Sequence, residues 1–104
     1  MAMPDRVKIL APQGAIAPTG TWSPGARARD FVFIAGMRGI DPANDRLVEG
    51  EEARIRQAFM NMKFVAESEG ASLTDCVRLT VFVTDMSCLR RSVSAAHHCR
   101  GHRA

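Results

Sequence analysis

The sequence predicts an α+β fold, a β-sheet with one long helix packed on one face. Three observations predict it. FVFIAGM (31–37) is a continuous apolar run rich in β-branched and aromatic residues, too short for a helix. From Glu51 to Gly70 the apolar residues recur at helical spacing. CVRLTVFV (76–83) then alternates apolar and polar positions, the period of a half-buried strand. With 104 residues the chain holds one domain at most.

Taken in order, RVKIL (6–10) alternates loosely and ends just before Pro12, which suits a short edge strand. APQGAIAPTGTWSPGARARD is rich in Gly, Pro, Ser and Thr and reads as an extended loop. The 31–37 run reads as a buried strand. Asp41-Pro42 and Asn44-Asp45 are turn formers, and a return near Leu47-Val48 completes a hairpin.

In the helix, Ile55, Ala58, Phe59, Met62, Val65 and Ala66 make one apolar stripe. Glu51 and Glu52 fall in the first turn, where the helix dipole favours acids, and Gly70 suits the left-handed C′ position. In 76–83 the alternation sets Val77, Leu79, Val81 and Val83 toward the helix, and Arg78, Thr80 and Phe82 away from it. The sheet face opposite the helix keeps Phe33 or Phe82. A partly apolar second face favours oligomerisation.

Composition narrows the function classes. At 46% apolar and 24% charged residues the chain is of globular type. No apolar run approaches a membrane span, and MAMPDRVKIL has no apolar signal core, so no membrane role and a cytoplasmic setting are expected. Three unevenly spaced cysteines give no disulfide framework.

The net charge of +3 comes from the end of the chain. Residues 1–86 hold ten Lys and Arg against eleven Asp and Glu, whereas 87–104 hold four Arg and no acid. Met86 is therefore the expected boundary between an α+β domain (1–86) and a basic His/Cys/Arg tail (87–104).

Cys88, His97, His98, Cys99 and His102 are metal-ligand types, but three adjacent residues point to different sides of any regular element. No specific metal site is expected. The arginines would attract phosphate, yet the tail has no aromatic residue to stack a base, which argues against a nucleic-acid partner. The abrupt change at Met86 is the mixture that a shifted reading frame in a GC-rich gene produces. A non-native or disordered end is expected, with a short helix through CLRRSVSAAHH as the alternative.

Two stretches then line up with a known family. GTWSPGARARDFVFIAGMRGIDPANDRLVEG and EEARIRQAFMNMKFVAESEGASLTDCVRLTVFVTDM are collinear with its pattern. The second includes Arg56-Gln57, Asn61, Lys63, Glu67, Gly70 and Thr80-Val81-Phe82. Over roughly residues 6–86 the chain resembles the Rid proteins, the YjgF-like reactive-intermediate deaminases.

The resemblance implies a YjgF/chorismate-mutase-like sandwich with a mixed sheet, assembled as a homotrimer with ligand clefts between subunits. It implies hydrolysis of enamines and imines, such as 2-aminoacrylate, to 2-keto acids and ammonia, without metal or organic cofactor. Such chemistry needs a held carboxylate, a polarised imine and a placed water.

By the same resemblance, Trp22 stands where many members have a cleft-lining Tyr; equally, it reads as a loop anchor on the sheet. Ala35 stands where active deaminases often carry a Ser. Gly36 matches the family glycine that lets the backbone approach the ligand, although a strand glycine also marks a bulge. Met37 and Arg38 replace a Gln and an apolar residue, and Arg38 either reaches a carboxylate or sits in solvent.

Past Met86 nothing matches the family's second helix, its Arg-bearing strand or its closing strand, so these are expected to be missing or replaced. No catalytic residue is assigned. The expected functions are an imine hydrolase or inactive relative, a non-catalytic carboxylate-binding or regulatory trimer, and, more remotely, an RNA-interacting translation inhibitor or ribonuclease-like protein.

Overall fold

The computed structural model describes residues 6–17, 20, 22–88 and 90–95. Strands β1 (Val7–Leu10), β2 (Gly25–Ala28) and β3 (Phe31–Ile34) form a sheet in the order β1-β2-β3. A hairpin of β4 (Ile40–Asp41) and β5 (Arg46–Leu47) follows, then helix α1 (Glu51–Ser68). The class is α+β, and α1 packs against β3 and β4. All ladders among the described residues are antiparallel, with no parallel pair of the kind a mixed sheet needs.

The edge strand β1 and the hairpin form where the sequence places them. β2 does not follow expectation: GARA, read as loop, is the central strand. Small side chains give it no strand signature of its own. Position explains the choice, because Gly25 lies where sheet and helix touch. A Cβ there would come 2.8 Å from the Phe33 carbonyl oxygen and 3.2 Å from Val65 Cγ1. β2 and β3 join through Arg29-Asp30, with Arg29 at φ 55.

Pairing fixes the two faces of this sheet. Lys8, Leu10, Gly25, Arg27, Val32 and Ile34 turn toward α1, while Val7, Ile9, Ala26, Ala28, Phe31 and Phe33 turn outward. β3 was expected to be buried, but Phe31 and Phe33 are 63% and 61% exposed. Only one of its faces finds a partner among the described residues.

The stripe on α1 behaves as predicted. Phe59, Val65 and Ala66 are buried, and Ile55 and Met62 pack against the cluster of Phe59, Leu73 and Ala95. Gly70 ends the helix at φ 80, and its N–H donates to the Glu67 carbonyl. A 3-10 turn, Leu73–Asp75, follows with a capping box from Ser72.

The strand expected at 76–83 does not form. Val77 and Leu79 border a groove with Phe59, Met62 and Leu73, yet Val77 is 93% and, farther along, Phe82 92% exposed. Alternation describes side chains, whereas a strand also needs a neighbour to complete its ladder. No backbone hydrogen bond links Val77–Val83 to another described segment.

Past Met86, residues 90–95 are helical. Ala95 packs into the Phe59 cluster and Ser92 is buried, while Val93 is 62% exposed. Arg91 pairs with Glu51 at the start of α1.

Candidate functional site

The residues singled out in the sequence lie where β2 begins and β3 ends. The β2–β3 pairing continues one step beyond the strands: Ala35 N–H donates to the Pro24 carbonyl at 3.0 Å. That bond brings Trp22, two residues before the fully buried Pro24, to the same end of the sheet as Ala35 and Gly36. Trp22 is 37% exposed rather than packed away. By strand alternation Ala35 continues the outward face of Phe33.

Gly36 is exposed, and a Cβ added to it would meet nothing within 4 Å. Open space therefore stands over the backbone at this point. Met37 turns elsewhere. It lines a cavity of about 180 Å³ with Gln57, Met60, Asn61 and Phe64 of α1 and the loop at Gly14–Ile16. Arg38 is exposed, and its guanidinium makes no hydrogen bond or ion pair among the described residues. The structure thus groups Trp22, Ala35 and Gly36 and separates Met37 from them.

What holds this corner is a buried residue that the sequence reading did not place in the site. Asn61 is 6% exposed. Its side-chain nitrogen donates to the Arg38 carbonyl at 3.1 Å and to the Ile40 carbonyl at 2.8 Å. Its Oδ1 accepts from Gln57 Nε2 at 2.9 Å, one helical turn back. The signal was present in the sequence: Asn61 stands between Ala58 and Val65 on the buried stripe, where an uncharged polar residue needs partners.

Gly39 completes the clamp. A Cβ there would lie 2.4 Å from the Arg54 carbonyl oxygen, so only glycine lets the turn lie on the helix backbone. Val48 N–H donates to the Gly39 carbonyl at 2.8 Å, and Arg54 Nε donates to the Val48 carbonyl at 2.7 Å.

Charge is organised at the opposite end of α1. Glu69 accepts from Arg27 at 3.2 Å and Lys8 at 3.3 Å, and these two cations, Arg27 first, hold its carboxyl below the usual range. Asp85 is held low by the Ser87 backbone N–H.

Among the described residues, no three His, Cys, Asp or Glu side chains gather as a metal site. His97, His98, Cys99 and His102 lie outside the described residues, and the Cys88 side chain is not described. Cys76 is a free, exposed thiol. No helix among the described residues is long and apolar enough to cross a membrane.

Comparison with known proteins places the fold. A RutC family protein of Pyrococcus horikoshii is 35% identical over 81 residues, 77% of this chain and 64% of the relative. A 2-iminobutanoate/2-iminopropanoate deaminase of Salmonella typhimurium is 31% identical over 80 residues, 77% of this chain and 62% of the relative. The chain thus spans less than two thirds of the length of these curated relatives.

Among solved structures, RidA from the Antarctic bacterium Psychrobacter superposes with a TM-score of 0.85 at 30% identity, covering 92% of this chain and 78% of that one. A Rhodopseudomonas palustris protein described as a probable translation initiation inhibitor gives a TM-score of 0.82 at 47% identity, covering 94% and 77%. The family model described as endoribonuclease L-PSP matches residues 12–99, running past Met86. With that span matched, this chain belongs to the Rid (YjgF) family.

Proposed function

We propose that this chain is a subunit of a Rid-type enamine and imine hydrolase, working in the cytoplasm as a homotrimer. Its substrates are small 2-imino acids and their enamine tautomers. Family membership, with relatives named 2-iminobutanoate/2-iminopropanoate deaminase, carries the reading. The bare apolar sheet face and the open space above Gly36 support it. Covering the first with a second copy would bring a neighbouring subunit toward the second.

The reaction adds water across a C=N bond. The water oxygen bonds to the imine carbon, a proton reaches nitrogen, and the resulting carbinolamine expels ammonia to leave a 2-keto acid. The carbon is already electrophilic, so placement and polarisation supply most of what the protein must add. In this proposal Trp22 walls the cleft, the Gly36 backbone approaches the ligand without a side chain between them, and Ala35 lines the floor. Arg38, solvated and uncommitted, is the cation in this segment that can meet a substrate carboxylate.

The test generates 2-aminoacrylate in the presence of the chain and follows release of 2-keto acid and ammonia. Release faster than in buffer is expected. A rate equal to the buffer control overturns the hydrolase reading.

One observation favours a second reading, a non-catalytic trimer that binds small carboxylates in the same cleft. Ala35 offers no hydroxyl where active deaminases often have one. Binding of a 2-keto acid without turnover of the imine would select it.

A further inference from the structure

We propose that Asn61 is the positioning residue of the ligand cleft. Through Asn61, helix α1 sets the backbone between Gly36 and Ile40, and so the approach of Gly36 to the ligand. The inference rests on the reading that Ala35, Gly36 and Arg38 line that cleft. Asn61 does not touch the open space above Gly36 and acts only through the turn it holds.

The chemistry of the clamp explains the residue type. Two carbonyls two residues apart, those of Arg38 and Ile40, converge on one side-chain nitrogen. A primary amide is the neutral side chain that presents two N–H donors on a single atom. A hydroxyl has one proton to give. A carboxylate would turn acceptors toward acceptors. Leucine fills a similar volume and would leave the Ile40 carbonyl without its Asn61 donor, while the Arg38 carbonyl would keep only the Ile40 N–H.

The amide also has to be turned the right way, and Gln57 does this. By donating to Asn61 Oδ1 at 2.9 Å, it directs the Asn61 nitrogen toward the turn. Gln57 itself lines the cavity beside Met37. The chain of contacts runs from that cavity through Gln57 and Asn61 to the Arg38 carbonyl, two residues from Gly36. Gly39, pressed on the Arg54 backbone, and the Val48–Gly39 bond limit the other directions in which the turn could move. Asn61 is thus the tie between α1 and the Gly36 end of the turn.

The experiment uses the full chain and the variants Asn61→Leu, Asn61→Gln and Gln57→Leu, with two readouts. Hydrogen–deuterium exchange over 36–41 reports the turn without any ligand. Titration with 2-oxobutanoate, followed by the fluorescence of Trp22, the sole tryptophan, reports the cleft.

Asn61→Leu is expected to speed exchange of 36–41 at least tenfold, with β1 and β2 unchanged, and to weaken 2-oxobutanoate binding at least tenfold. Asn61→Gln keeps the amide and should recover part of both effects. Gln57→Leu frees the orientation only and should give smaller shifts in the same direction. If Asn61→Leu does not fold, the graded pair Asn61→Gln and Gln57→Leu decides.

Unchanged exchange in 36–41 overturns the proposal. So does faster exchange with unchanged binding, which would leave Asn61 a purely structural tie. A parent chain that binds no 2-oxobutanoate overturns the cleft reading and the ligand role with it. That result is distinct from equal binding by parent and variants, which overturns the role of Asn61 alone.

Discussion

The two faces of the β1-β2-β3 sheet are built from alternate residues of the same three strands and meet opposite fates. The face toward α1 carries two cations, Lys8 and Arg27, and is covered. The outward face, with Val7, Ile9, Ala26, Ala28, Phe31 and Phe33, carries no charge and is bare. Among the described residues the more apolar face is the uncovered one. The inner face tolerates its cations because both stay in contact with solvent, Lys8 68% and Arg27 39% exposed, and Glu69 pairs with each. Strand hydrophobicity thus says that a face will be covered, but not by which part of which chain. A contiguous apolar patch of this kind marks an interaction surface.

If that comparison holds, substitutions on the inner face should cost folding stability, and those on the outer face should cost assembly. The largest effect is expected from Gly25→Val. Its Cβ would press on the Phe33 carbonyl, which cannot retreat without breaking the β2–β3 ladder, and on Val65. A loss of about 3 kcal/mol in urea unfolding is expected. Val65→Ala removes two methyls from a fully buried site on the same contact and should cost about 2 kcal/mol. A midpoint within error of the parent for either variant would show that the inner face does not hold the fold.

Phe33→Ser gives the opposite pattern. Its ring meets Phe31 at 6.5 Å between centroids and is otherwise in the open. In dilute protein the substitution should change unfolding by no more than about 0.5 kcal/mol. At high concentration it should lower the mass in sedimentation from trimer toward monomer. It should also remove the concentration dependence of thermal unfolding. A loss in the dilute monomer as large as that of Val65→Ala would break the comparison.

The same contrast shows what the sequence could disclose. Helical spacing placed the α1 stripe, and Gly70 its end, because those signals are local. The apolar run at 31–34 showed a strand but not the exposure of Phe31 and Phe33, since a burial pattern does not name its partner. β2 was missed because its case rests on non-local facts: the pairing of GARA between β1 and β3, and the helix pressing on Gly25. Residues 76–83 failed in the other direction, with the alternation of a strand and no described neighbour to complete a ladder. At the site, Trp22, Ala35 and Gly36 lie at the same end of the sheet. Asn61 stayed out of that grouping because its role depends on two carbonyls that only the folded turn brings together.

The smallest effect belongs to the charges on the inner face, and its direction follows from Glu69. Arg27 and Lys8 hold its carboxyl below the usual range in the folded chain, whereas in the unfolded chain it titrates near about 4.3. A group with its folded value lowered stabilises the fold above the unfolded value. That contribution fades as pH falls through the folded value. Urea midpoints for the parent should therefore drop as the pH falls from about 6 into the acid range below the unfolded value. Asp85, also held low, by Ser87, contributes in the same direction, so the parent profile alone does not isolate Glu69. Glu69→Gln does. It keeps the length and one acceptor but removes the titration, so it should be slightly less stable than the parent near neutral pH. The gap should narrow in acid. A gap that stays constant across that range would mean that Glu69 acts on the inner face through packing and not through its charge, and that Lys8 and Arg27 lie there without needing it.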